Sequence, residues 1–218
     1  MLRICSQGMN TGIQDAYNLA WKLDVVLRGS DSSLLSTFQE ECLLVAARIL
    51  GLSTKLLVNF QSPERSLPTA TERLQADLNY RSSSLSRHTL IDESLLHAGD
   101  RSPDARITDA NGKQTRVFDL FRGKHFSILY TGTAHIQRFK TAFPNNGDVK
   151  LFLINRDAKD ITGNNMYADL EESFSKVYGL EKDIIYLVRP DGYTAFVGEG
   201  NAKKLFAGYL KKLSLSIA

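Results

Sequence analysis

The residues of this chain that could do chemistry by type and spacing are two cysteines, four histidines and one glycine-bearing stretch near its start. Cys5 and Cys42 form no CxxC and have no metal-ligand spacing, so reduced thiols are expected and a metal site is not. His88, His97, His125 and His135 are scattered, which favours surface or hydrogen-bonded histidines over ligands. No nucleophile elbow and no Ser/His/Asp arrangement supports a hydrolase. The stretch "SQGMNTGIQDAYNLAWKL", residues Ser6 to Leu23, reads as a loop opening into an amphipathic helix. Unpaired N–H groups and the positive end of the helix dipole at such a junction favour an anionic or electron-rich ligand. Gly8 and Gly12 would let the backbone approach it without a Cβ.

The elements that must position this stretch fall into two halves. In the first, Ile13, Ala16, Tyr17, Ala20, Leu23 and Leu27 recur at helical spacing and predict one inward apolar stripe. Thr11 followed by Gln14 fits a capping box, and Arg28-Gly29 a stop. A second helix is expected from about Ser33 to Phe60, with Leu34, Phe38, Cys42, Val45, Ile49, Leu52 and Leu56 inward. Residues 61–87, with Pro63, Pro68 and "RSSSLSR", read as a connector.

From His88 onward the pattern is α/β. Asn111-Gly112 marks a turn between two short strands, and "HFSILY" and "VKLFLI" are compact apolar runs suited to buried strands. "TAHIQRFKTAF" and "YADLEESFSKVYGL" have helical spacing. "DIIYLVRPDGYTAFV" reads as two strands joined by a tight turn, and "NAKKLFAGYLKKL" as a closing helix with Leu205, Tyr209 and Leu213 on one side. The order is that of a thioredoxin-like domain, giving three segments: 1–60 helical, 61–87 connector, 88–218 thioredoxin-like. A net charge of +3 without basic clusters interleaved with aromatics argues against nucleic acid. No apolar run is long enough to span a membrane, and no signal peptide is visible, so a cytoplasmic protein is expected.

"QGMNTGIQDAYNLAWKLDVVLRG" resembles the last flavin-binding motif of the FAD-dependent aromatic hydroxylases, the phenol and p-hydroxybenzoate hydroxylase superfamily. "HAGDRSPDARI", "FDLFRGKHFSILY" and "YLVRPDGYTAFV" resemble the thioredoxin-like carboxy-terminal domain of the phenol-hydroxylase branch. The resemblance implies a fold with a helical segment derived from a flavin-binding domain, and an activity using NAD(P)H, FAD and oxygen to hydroxylate an aromatic ring. It implies main-chain contacts to the flavin pyrimidine edge from Gly8, Met9 and Asn10, with Thr11 and Gly12 beside them.

The chain also departs from the family. The family's Gly-Gly-Gln-Gly-Met-Asn is Ser6-Gln7-Gly8-Met9-Asn10 here, and neither the GxGxxG fingerprint nor the ribose-binding Gly-Asp motif is present. The family's Tyr-Glu-x-Glu-Arg-x-Pro becomes Phe38-Gln39-Glu40-Glu41-Cys42-Leu43-Leu44, losing the arginine and the proline. Where a redox thioredoxin carries its thiolate this chain has Thr131-Gly132-Thr133-Ala134, and no proline lies near Asp183, so thiol chemistry is not expected. The expectation is a carboxy-terminal part of a flavoenzyme, not catalytic and not FAD-binding alone. A truncated gene, a separate subunit and a misplaced start codon stay open. A second copy paired through the helical arm, or a separate FAD-domain chain, is the expected partner. The competing reading is a non-enzymatic dimerisation or interaction module.

Overall fold

A computed structural model describes residues 5–43, 45–47, 78–90, 96–131, 147–157, 159, 161, 163–180 and 183–215, with backbone only for 5–8. Expectations for Ile49, Leu52, Leu56, most of 61–87 and "TAHIQRFKTAF" lie outside the described residues. Helix α1 spans Cys5–Leu27 and ends at Gly29, whose φ of +106° suits a residue without a Cβ. A 3-10 turn, Ser32–Leu35, follows, started by Asp31, whose side chain accepts from the Ser33 amide. It runs into α2, helical over 36–43 and 45–47.

The remaining elements build one mixed eight-stranded sheet. Its strands are β1 (Arg87–His88), β2 (Arg106–Asp109), β3 (Gln114–Arg116), β4 (Phe126–Tyr130), β5 (Val149–Asn155), β6 (Met166–Ala168), β7 (Ile184–Val188) and β8 (Thr194–Glu199). They lie in the order β1-β8-β7-β4-β5-β6-β2-β3. β4, β5 and β6 are mutually parallel, and the β7–β8 hairpin runs antiparallel against β4. The expected turns are there, with Gly112 and Gly192 at φ of +77° and +83°. β4 and β7 are buried at every residue, which is why they read as unbroken apolar runs.

Successive side chains of these strands feed two cores, one on each face of the sheet. On one face Phe126, Ile128, Ile185 and Leu187 pack with Trp21 and Val25 of α1 and with Phe206 and Leu210 of the closing helix α5 (Lys203–Lys212). On the other, Leu129, Tyr186 and Val188 pack with Val117 and Leu120 of the short helix α3 (Val117–Leu120) and with Phe174 and Tyr178 around α4 (Ser175–Tyr178). The first helix therefore shares a core with the strands.

Several expectations change. The predicted loop before α1 is helical from Cys5, so Thr11 lies inside the helix and does not cap it. The predicted apolar stripe faces outward: Ile13, Tyr17, Leu23 and Leu27 are exposed, whereas Asn18, Trp21, Lys22 and Val25 are buried. Of the inward residues expected for the second helix, Leu34 in the 3-10 turn and Val45 in α2 are buried, with Phe38 and Cys42 half-buried. The start of "YADLEESFSKVYGL" is strand, because Tyr167 and Ala168 complete ladders with β5 and β2 that only extended backbone can make. In α5 the buried residues are Phe206 and Leu210 while Leu205 is exposed; Leu213, just past its end, is buried as expected. The end of the expected connector is built in, with Leu85 in the core and Arg87–His88 paired to β8.

Candidate functional site

Gly8, Met9, Asn10, Thr11 and Gly12 occupy the first two turns of α1. In an α-helix the amides of the opening turn have no internal partner, whereas those from about the fifth residue onward bond to carbonyls one turn back. The free donors thus lie at or before Gly8, and the amides of Met9 to Gly12 belong to the hydrogen-bonded body. No acidic residue sits in the first turn to neutralise the positive end of the dipole. Met9 and Asn10 are exposed, Thr11 is half-buried, and a Cβ added at Gly12 would meet nothing within 4 Å. This helix end is one open edge of a possible site.

What holds α1 in place lies on its other side. Glu41 of α2 is fully buried, and four donors converge on its carboxylate. Asn18 Nδ2 (2.6 Å) and Lys22 Nζ (2.8 Å) donate to Oε2, while Ser83 Oγ (2.7 Å) and Arg189 Nη1 (2.7 Å) donate to Oε1. Arg189 follows β7 and reaches Asp191 with both Nε (2.9 Å) and Nη2 (2.5 Å), a two-pronged pairing that suits a planar guanidinium. Trp21 Nε1 also donates to Asp191 Oδ2 (2.9 Å). The Trp21, Tyr80 and Tyr193 rings lie 5.1, 5.3 and 5.6 Å from the guanidinium carbon. These contacts stabilise the cation in a place where it has lost its water.

Two cations and two carboxylates are thus buried as a neutral cluster, the arrangement that buried charge requires. Burial alone would raise the Glu41 carboxyl, but Arg189 and Lys22 overcome it and hold the group at about 2. Burial lowers Lys22, with Glu41 opposing that shift. The cluster ties α1, α2, the segment around Ser83 and the β7–β8 turn together. It contains no site residue expected from the sequence, in which Glu41 stands only within a departure from a family motif. Its one visible signal is the Arg-Pro-Asp-Gly turn, which reads as an ordinary hairpin.

Other candidates are structural. His125 is buried, bonds the Leu120 carbonyl through Nε2 (3.0 Å), and is lowered by burial, so it is a satisfied core histidine. His88 and His97 stack at 4.3 Å. The Cys42 thiol donates to Asp15 Oδ1 (3.2 Å); burial, then Asp15, push it up to about 12, far from a reactive thiolate. A cavity of about 330 Å³ beside β5 and β6 is lined by His125, Phe152 and Tyr167, with Arg122 and Lys150 at its polar margin. No group of histidine, cysteine or acidic residues able to hold a metal occurs among the described residues. No described helix is long and apolar enough to cross a membrane.

Residues 4–53 match the family model described as an FAD binding domain. A flavin-dependent monooxygenase of Mycobacteroides abscessus is 44% identical over 126 residues, covering 58% of this chain and 25% of that protein. A 4-methyl-5-nitrocatechol 5-monooxygenase of a Burkholderia species is 30% identical over 206 residues, covering 87% of this chain and 36% of its own length. Among solved structures, the flavin-dependent monooxygenase PieE in complex with FAD and substrate superposes with a TM-score of 0.69 at 21% identity. That superposition covers 97% of this chain and 45% of PieE, and at such identity it speaks for the fold. The chain spans between a quarter and a half of the length of these proteins.

Proposed function

We propose that this chain, a relative of the FAD-dependent aromatic hydroxylases, is the carboxy-terminal part of such an enzyme and is not catalytic by itself. The observation that carries the reading is the pairing of two matches. Residues 4–53 match the FAD binding domain, while nearly the whole chain superposes on less than half of a hydroxylase. Residues 88–218 are read as a thioredoxin-like domain without redox function. The parallel β4–β5 pair, the antiparallel β7–β8 hairpin and the closing helix α5 support that reading. Both cysteines lie outside this segment.

The helix end fits one edge of a flavin. Its opening-turn amides, and a first turn without an acidic residue, favour the carbonyl-rich pyrimidine end of the ring, and Gly8 and Gly12 carry no Cβ to hold that ring away. Gly8, Met9 and Asn10 would hold it through the main chain, with Thr11 and Gly12 beside them. For the Met9 and Asn10 amides to turn to a ligand, the first two turns of α1 must open, and the two glycines make that opening easy. When bound, the flavin supplies the redox chemistry of oxygen activation. This chain's residues orient one end of the ring and present positive potential to it.

Two measurements test the reading. The purified chain is expected to be colourless and to leave the fluorescence of added FAD unchanged; a stoichiometric yellow protein would make it a self-sufficient flavoprotein. Sequencing the genomic region before codon 1 is expected to find a GxGxxG-bearing segment in some frame or in a neighbouring gene. Its absence from both places would overturn the assignment in favour of an interaction module.

A further inference from the structure

The cavity beside β5 and β6 has no part in the opening of α1 or in the buried ion cluster, and its lining is chemically divided. One wall is aromatic. Lys150 and Phe152 lie two residues apart on β5 and so share a face of the sheet, and Tyr167 joins that face from β6, opposite Ile154 in the parallel ladder. The rings of His125, Phe152 and Tyr167 stand in a row, with 6.4 and 6.3 Å between neighbouring centroids and tilts of 55° and 56°. Rings at such spacing and tilt offer edges and faces against which a further ring packs favourably.

The other wall is polar, and its groups are unevenly committed. Asp119 Oδ1 pairs with Arg122 Nη2 (3.1 Å), and Asp119 Oδ2 accepts from the Arg116 amide (3.3 Å). The one acidic side chain among the described lining residues is thus already answered by a cation. Lys150, Tyr167 and Asn165 also line the cavity, and their side chains have no hydrogen-bond or ion-pair partner among the described residues. An exposed lysine alone would be ordinary; three uncommitted donors around one aromatic-walled hollow form a recognition pattern. Burial, then Asp109, raise the Tyr167 hydroxyl, which therefore remains an O–H donor. His125, lowered by burial, adds no charge at neutral pH. With Asp119 and Arg122 cancelling, Lys150 gives the margin a net positive charge. At about 330 Å³ the cavity lies at the low end of the roughly 300–1,000 Å³ of ligand sites, which suits a single ring better than a fused system. A carboxylate on that ring offers lone pairs to all three donors and a charge to Lys150.

We propose that this cavity is a small-molecule site for a one-ring aromatic carboxylate, its ring against Phe152 and Tyr167 and its carboxylate toward Lys150. The site is separate from the flavin-facing helix end, and its test needs no FAD. The full 218-residue chain is titrated with benzoate, followed by calorimetry and by the imidazole signals of the protein in NMR. Saturable one-to-one binding with a Kd of about 1 mM or below is expected, moving the His125 ring signal and leaving those of His88 and His97 in place. Lys150→Gln should weaken binding about tenfold, and Tyr167→Phe, which keeps the ring and loses the hydroxyl, about fivefold. Lys113→Gln, an exposed lysine at the β2–β3 turn, should change nothing. Cyclohexanecarboxylate, which has the charge and bulk without the π face, should bind about threefold more weakly, and acetate more weakly still. Circular dichroism of each variant checks that the fold is intact. No saturable binding below about 20 mM overturns the proposal. Binding that leaves the His125 signal in place, or that Lys150→Gln does not weaken, puts the ligand elsewhere and overturns it too. Binding that acetate matches reduces the site to a surface lysine and overturns the aromatic assignment.

Discussion

Glu41→Gln removes one charge from the centre of the buried cluster while keeping nearly the same volume. The variant leaves Lys22 and Arg189 with Asp191 as the nearest anion, and turns an amide N–H₂ toward groups that are themselves donors. Breaking a buried ion pair by losing one partner costs about 3–5 kcal/mol. Holding the native carboxyl at about 2 rather than 4.5 is independently worth about 3 kcal/mol at neutral pH. The two routes agree, and the loss is a large part of the roughly 5–15 kcal/mol that stabilises a domain. The sign with pH follows from the lowered carboxyl. Its contribution is complete above pH 4.5, where the unfolded group ionises, and fades as pH falls from there toward 2. The lowered Lys22 acts oppositely, as a cost at neutral pH that lifts only in the alkaline range. Urea denaturation of both proteins at pH 7, 5, 4 and 3 is the assay. The wild type should lead by about 3–4 kcal/mol at pH 7, and the gap should narrow steadily below pH 4.5. A gap that stays constant down to pH 3 would show that shape, and not the carboxylate charge, holds the cluster.

Trp21→Ala should cost about 3–5 kcal/mol, because it empties a core site against Phe126 and leaves Asp191 without its indole donor. As Trp21 is the one tryptophan, native emission should be blue-shifted and should report the unfolding of α1 directly. Gly99→Ala should cost about 2–4 kcal/mol, since φ is +93° and the new Cβ would lie 2.4 Å from the Arg81 amide nitrogen. Gly112→Ala, strained by its φ of +77° but open in space, should cost only about 1 kcal/mol. Both are read from urea midpoints. In a Cys5→Ser background, Cys42 should resist iodoacetamide at pH 8 until the protein unfolds, because burial and Asp15 keep the thiol protonated. Rapid native labelling would contradict that.

The strands were legible because their signals are local. Phe126–Tyr130, Val149–Asn155 and Ile184–Val188 are short apolar runs closed by turn residues, and each occupies the inside of the sheet. The orientation of α1 was not legible. Periodicity ranked Ile13, Tyr17 and Leu27 as core, and Lys22 could be buried only because Glu41 meets it from another helix. The same limit hid the cluster, whose members are joined by contacts spanning up to 170 residues. Tyr167 and Ala168 became strand because ladder partners outweigh helical spacing in a short segment. At the helix end, the resemblance to the flavin motif is what marks Gly8 to Gly12, and the helical state of that stretch depends on a backbone that spacing does not describe.

The separation of Glu41 and Arg189 by 148 residues has a consequence during synthesis. Chains emerge at about 5–20 residues per second, so α1 waits on the order of 10–30 s between the arrival of Glu41 and that of its guanidinium partner. Throughout that interval the Lys22–Glu41 pair lacks Arg189 and Asp191, and the strands that cover Trp21 are incomplete. The nascent helix therefore has both of its faces uncovered during that interval. Only the last fifth of the chain closes one of them.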